Sequence, residues 1–288
     1  MFKALNLYVI IVLAALNLYA SAFRPTLTNF IYSTHTALHA STAKTTNFLD
    51  CKIIKNEIEA QDLRSIDIEV SEDITQQYQQ PGQYCQIKVG DSKPGFYAIR
   101  SPPDGRKVLS FIVKESESNA PLTSCQLENT IQMSCPQGNG FKIAENFDGY
   151  KYDFPTTQVL MLACGSGLAP IASAIDSSIL GMRTTSYNSL FERRGLLYLG
   201  ARTENHLPCK SDFARWEQAG IKIVPVLSQP SPGWKGRTGY VQDALKSDGV
   251  PVPRNIGVLL CGQRGMVENV KSLLLDAGVF EGRILLNF

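Results

Sequence analysis

Four apolar runs in the second half of the chain, broken only at Lys222, constrain its fold more than any other feature. Val159–Ala163, Leu196–Leu199, Ile221–Leu227 and Ile256–Leu260 lack the apolar–polar alternation of a half-exposed strand, so they predict strands buried on both faces. Helical patterns lie between and after them, at Ala169–Leu180, Asp212–Ala219, Tyr240–Lys246 and Met266–Ala277. Gly220 and Gly278 stand just past two of these helices, where a C-terminal cap favours glycine. Strand and helix in alternation predict a parallel sheet with crossover helices, an α/β domain over residues 155–288.

The preceding stretch reads differently. Ile66, Ile68 and Val70 alternate with polar residues, as do Leu109, Phe111 and Val113, and Ile131 with Met133. Turn signals punctuate them at Pro81-Gly82, Gly90-Asp91, Pro94-Gly95, Pro102–Gly105 and Gly138–Gly140. Several short strands with few helical stretches predict a small antiparallel β-barrel over residues 46–150, with the boundary near Asp148–Pro155.

The first 45 residues contain no Asp or Glu. Lys3, an apolar run over Tyr8–Leu18 and the small residues Ala20-Ser21-Ala22 predict a signal peptide over 1–22, the run being short for a membrane span. The acid-free, Ser- and Thr-rich segment 23–45 has the composition of a transit peptide. Together they resemble the bipartite plastid presequence of algae with secondary, red-lineage plastids. The expected location is the chloroplast stroma, with no integral membrane segment left in the mature protein.

Composition removes several function classes. The net charge is +2. It falls slightly below zero once Lys3, Arg24 and Lys44 are set aside, so no basic surface for nucleic acid is expected. Of three histidines, only His206 lies outside the leader, which leaves no histidine-rich metal site and one residue for any Ser-His-Asp triad. Seven cysteines are dispersed without a CxxC pair, which speaks against zinc or iron–sulfur ligation and for free thiols in a reducing compartment. No metal is expected.

Two loops carry the chemistry. Cys164-Gly165-Ser166-Gly167-Leu168-Ala169-Pro170 follows a buried strand and opens a helix. Glycines there let the backbone approach a pyrophosphate, and the helix start supplies free N–H groups and a partial positive charge. Pro170 suits the first helical turn. Cys261-Gly262-Gln263-Arg264-Gly265-Met266 lies at the end of another buried strand, where open α/β sheets bind ligands.

Gly165-Ser166-Gly167-x-x-Pro170, Leu199–Arg202, Cys261-Gly262-x-x-x-Met266 and the preceding barrel resemble the ferredoxin–NADP reductase superfamily. A plant plastid branch of FAD/NAD(P)-binding oxidoreductases, of the kiwifruit fruit-protein type, is the nearer likeness. It shows in Pro81–Tyr84, Ala98–Pro103, Gly138–Phe141, Pro225–Pro230, Trp234–Gly236, Gly239–Gln242 and Asn287-Phe288.

The resemblance implies an FAD-dependent NAD(P)H oxidoreductase that exchanges a hydride between nicotinamide and flavin, then passes electrons to a separate small-molecule or protein acceptor. It places Gly165, Ser166, Gly167 and Pro170 at the NAD(P) pyrophosphate, Arg202 and Tyr240 on the nucleotide, and Cys261, Gly262 and Met266 beside the nicotinamide. Tyr97, Ala98, Ile99, Arg100 and Ser101 would border the flavin, with Tyr97 against its ring, and Ser118 and Asn119 would form a second flavin loop. Phe288 would cover the flavin's other face. Gly95 and Ala98 stand where the family has the arginine and serine of its flavin motif. Arg100 and Ser101 are the nearest substitutes. Two other readings stand beside this one: ferredoxin–NADP reductase proper, and a non-catalytic nucleotide-binding module without FAD. Gln229 and Thr238 hold positions where NADPH-preferring relatives carry cations, while Arg202, Lys235, Arg237 and Tyr240 remain available, so the choice between NADH and NADPH stays open.

Overall fold

The alternation of apolar residues around Ile66, Leu109 and Ile131 is realised as a six-stranded antiparallel sheet. In the computed structural model, which describes residues 46–148, 151–152, 154–182 and 193–287, its strands are β1 (Phe48–Ala60), β2 (Leu63–Glu69), β3 (Tyr84–Lys88), β4 (Gly95–Ala98), β5 (Val108–Lys114) and β6 (Thr130–Ser134). Their order is β4-β3-β6-β1-β2-β5. Just past β4, Ile99 bridges Phe111 of β5, and the Arg100 N–H donates to the Ser110 carbonyl at 2.8 Å. These contacts close the sheet into a barrel. Ile53, Ile66, Ile68, Cys85, Ile99, Phe111 and Met133 fill its interior, none of them exposed to solvent. Each such large apolar side chain contributes about 1.5–3 kcal/mol on burial.

The four apolar runs become β7 (Gln158–Cys164), β8 (Arg194–Ala201), β9 (Ile221–Leu227) and β11 (Ile256–Cys261). Two short strands, β10 (Arg237–Thr238) and β12 (Ile284–Leu286), extend the sheet to the order β10-β9-β8-β7-β11-β12, parallel at every pairing. Helices α1 (Leu168–Asp176) and α2 (Phe213–Gln218) cover one face, where Ile171, Ala172 and Trp216 pack on Met161, Leu197 and Leu199. Helices α3 (Val241–Asp248) and α4 (Arg264–Asp276) cover the other, with Leu245 and Val270 on Leu160, Leu162 and Leu260. Gly220 and Gly278 adopt positive φ (84° and 93°) just past α2 and α4.

The α1-side core continues into barrel residues Leu63, Ile112, Phe141 and Phe147, so barrel and sheet share buried surface. From Thr46 onward the chain is one compact unit. The chain winds outward from β7 through β8 and β9, then returns to place β11 on the other side of β7. That reversal opens a crevice beyond the ends of β7 and β11. The expected signal and transit segments, and Phe288, lie outside the described residues.

Candidate active site

Both glycine-bearing loops arrive at this crevice, and they touch. Gly165–Gly167 forms a single 3-10 turn leading into α1, with Gly165 at φ 52°. A Cβ on Gly167 would lie 2.6 Å from the Cys261 carbonyl oxygen, and one on Gly262 would lie 2.7 Å from Cys164 Sγ. The Gln263 N–H donates to that sulfur at 3.4 Å. Only glycine permits such an approach, and it brings the two loops against each other at the crevice. Cys261 is buried, and burial first, then the neighbouring Cys164, pushes its thiol up to about 12. At neutral pH it is therefore an uncharged S–H rather than a nucleophilic thiolate.

The barrel supplies the facing wall of a cleft of about 970 Å³, lined from its side by Asp62, Tyr84, Phe96, Tyr97, Ala98, Lys114 and Asn119. Tyr84 and Phe96 meet with ring centroids 5.7 Å apart, and Phe96 keeps 66% of its surface exposed. The Tyr97 hydroxyl donates to Asn119 Oδ1 at 3.0 Å, and Asn119 Nδ2 donates to the Lys114 carbonyl at 2.8 Å. Burial raises the Tyr97 pKa, so it stays a neutral donor. Its ring lies over Gly95, where a Cβ would fall 2.5 Å from the tyrosine hydroxyl. The glycine in place of the motif arginine is thus a packing requirement of this tyrosine. Lys114 becomes the basic side chain that the barrel offers to the cleft.

Of the residues singled out from the sequence, Tyr97, Ala98, Asn119, Gly165, Ser166 and Gly167 line this cleft, together with Arg202, Tyr240, Cys261, Gly262 and Met266. Five others lie elsewhere. Ile99 is fully buried in the barrel core. Arg100 is held by ion pairs to Asp176 and Asp212, so its charge is engaged away from the cleft. The Ser101 hydroxyl accepts the Ser110 N–H at 3.1 Å in the barrel seam, and its carbonyl accepts Tyr78 Oη at 2.7 Å. Ser118 pairs with the Ser116 hydroxyl at 3.1 Å on the surface. Pro170 is buried on α1. The sequence reading passed over Lys114, Tyr84 and Asp62. Lys114 and Asp62 reach the cleft through strand register and a turn that no local motif marks, and Tyr84 closes the Pro81–Tyr84 segment without a role being read for it.

Comparisons with known proteins bear on the fold that carries this cleft. Residues 161–272 match the oxidoreductase NAD-binding domain family. The fruit protein pKIWI502 of Actinidia deliciosa is 29% identical over 232 residues, which is 76% of this chain and 69% of that protein. Among solved structures, a ferredoxin NADP+ reductase from Neisseria gonorrhoeae with bound FAD and NADP superimposes with a TM-score of 0.68 at 18% identity, covering 83% of this chain and 97% of that one. The chain therefore has the fold of that reductase, with the NAD-binding family match lying in its C-terminal half. A CDP-6-deoxy-L-threo-D-glycero-4-hexulose-3-dehydrase reductase of Yersinia pseudotuberculosis is 24% identical over 240 residues, 81% of this chain but 66% of the reductase.

Proposed function

We propose that this protein is an FAD-dependent NAD(P)H oxidoreductase passing electrons to a separate acceptor. The observation that carries this reading is one cleft in which the Gly165–Gly167 turn, the Cys261–Gly262 loop and an aromatic barrel wall face each other. Residues fit both groups. Phe96, Tyr84, Tyr97 and Ala98 offer an aromatic, partly exposed wall for an isoalloxazine ring, with Lys114 as the nearby cation for phosphate. Bound FAD supplies the hydride and electron chemistry; the protein's part is placement.

That part follows from the residues. The Gly165–Gly167 turn leading into α1 would hold a diphosphate, and the helix dipole would add to the attraction. The backbone of Cys261 and Gly262 borders the ring at the β11 side, and the neutral Cys261 thiol packs there without competing for the hydride. The neutral Tyr97 phenol, fixed by Asn119, orients without exchanging a proton. The purified protein, supplied with FAD, should show the visible flavin absorption band, and that band should bleach when NADH or NADPH is added anaerobically. A colourless protein would remove the reading in favour of a nucleotide-binding module without flavin. A ferredoxin-dependent rate well above that with other acceptors would favour ferredoxin–NADP reductase proper.

The plastid destination read from residues 1–45 is part of the same proposal, supported by composition alone. A fluorescent fusion of residues 1–50 should accumulate in plastids of a red-lineage alga. Secretion into the medium would overturn it.

A further inference from the structure

The two ends of the cleft differ in charge, and the difference bears on which dinucleotide it accepts; the argument rests on the dinucleotide reading above. Asn287, just past β12, lies near Gly138 and Tyr84, and Tyr84 pairs with Ala98 in the barrel. The aromatic wall therefore stands at the β11–β12 end, which is where the redox-active ring belongs. The opposite arm of a dinucleotide centred on Gly165–Gly167 runs over β8 and β9, strands about 4.8 Å apart. There the Gln229 N–H donates to the Arg202 carbonyl at 2.8 Å, and the Gly239 N–H to Leu227 at 2.9 Å, which gathers Arg202, Ser228 and Tyr240 around the adenosine end.

The arginines at this end are already matched, whereas Lys235 makes no ion pair among the described residues. Arg202 Nη1 lies 3.5 Å from Asp62 Oδ2, and His206 Nε2 lies 3.4 Å from the same oxygen. Arg237 is ion-paired with Asp248, whose other oxygen accepts the Tyr198 hydroxyl at 2.7 Å. Glu204 adds a further carboxylate, accepting from Ser231 Oγ at 3.1 Å. Asp62 itself lines the cleft. A carboxylate accepts hydrogen bonds from ribose hydroxyls and repels the nearly dianionic 2′-phosphate of NADPH. We propose that the adenosine end is built for a free ribose 2′-hydroxyl, making this an NADH site, and that Asp62 is the residue that disfavours the 2′-phosphate.

Asp62 sits at φ 63°, in the left-handed region that asparagine also tolerates, and its carbonyl accepts the Glu115 N–H at 2.9 Å, a bond the substitution leaves intact. Asp62→Asn therefore removes charge with little backbone cost. Dissociation constants of NADH, NADPH, ADP-ribose and 2′-phospho-ADP-ribose would be measured on the purified protein by fluorescence titration. The unmodified protein should bind NADH and ADP-ribose about 10-fold or more tighter than their 2′-phosphorylated forms. Asp62→Asn should shrink that ratio to roughly 3-fold or less by freeing Arg202. Raising the salt concentration should narrow the same ratio without any mutation, because exposed charges are screened. Equal binding of the two forms, tighter NADPH, or a ratio indifferent to both Asp62→Asn and salt overturns the inference alone. Binding of none of the four ligands overturns the proposed function with it.

Discussion

Alanine at Gly167 should weaken dinucleotide binding by roughly 10- to 100-fold while leaving the fold intact. Gly167 has φ −63°, so an alanine there meets no backbone strain. What it meets is Cys261: the added Cβ would lie 2.6 Å from its carbonyl oxygen, 2.9 Å from its carbonyl carbon and 3.1 Å from the Gly262 Cα. All three are main-chain atoms and none can rotate away. Relieving such overpacking costs about 1–3 kcal/mol, and each 1.4 kcal/mol is a factor of ten in affinity. The loops part to make room, and their parting displaces the N–H groups that must converge on one diphosphate. Gly165 is the control. It lies at φ 52° with open space around its Cα, so alanine there adds conformational strain of about 1 kcal/mol without forcing the loops apart. Titration of NADH against both variants, with melting temperatures alongside, checks the distinction. Affinity unchanged in Gly167→Ala would show that the two loops do not share a ligand.

The nucleotide half was legible in the sequence because its central strands β7 and β11 are buried along nearly their whole length, and β8 and β9 are apolar apart from the exposed Arg194 and Lys222. The edge strands were not. β10 is two exposed residues and β12 three buried or half-buried ones, too short for any period to show. The glycine loops were readable for a chemical reason: backbone approach to phosphate demands a residue type. Asp62 and Lys114 answer no such demand. Asp62 sits in the β1–β2 turn and Lys114 opposite Leu63 across the β2–β5 ladder, so register alone carries both to the cleft. Register also explains the placement of Ser101. Counting three residues from Ala98 brings a hydroxyl near the flavin motif, but past β4 the chain has already paired with β5 to close the barrel, and that hydroxyl is spent on Ser110.

Arg100, the other substitute considered for the motif arginine, leads to the second large effect: Asp176→Ala should lower stability by about 2–3 kcal/mol, or roughly 5–10 °C in melting temperature for a chain of this size. Asp176 closes α1 with a side chain only 8% exposed. It accepts Arg100 Nη1 at 2.9 Å, Arg215 Nη1 at 2.7 Å and Trp216 Nε1 at 2.8 Å. Burial works against the Arg100 charge, but Cys209, Asp176 and Asp212 more than offset it and hold its pKa above the ordinary arginine value. Loss of a buried partner costs about 3–5 kcal/mol, and the figure here is lower because Arg100 keeps Asp212 and Arg215 is half exposed. Asp176→Asn retains an acceptor and should fall between. The functional consequence separates this link from a merely local one. Arg100 belongs to the barrel, while Asp176 and Asp212 belong to the nucleotide half, so the pair fixes one against the other. The Gly165–Gly167 turn lies at the opposite end of α1, a nine-residue helix about 13 Å long, so dinucleotide affinity should hardly move. The rate of flavin reduction by bound NADH should fall instead, because that step depends on how the two halves face each other. A stable Asp176→Ala protein with an unaltered reduction rate would show that the shared apolar surface around Leu63, Ile112 and Phe141 positions the halves without help from the ion pair.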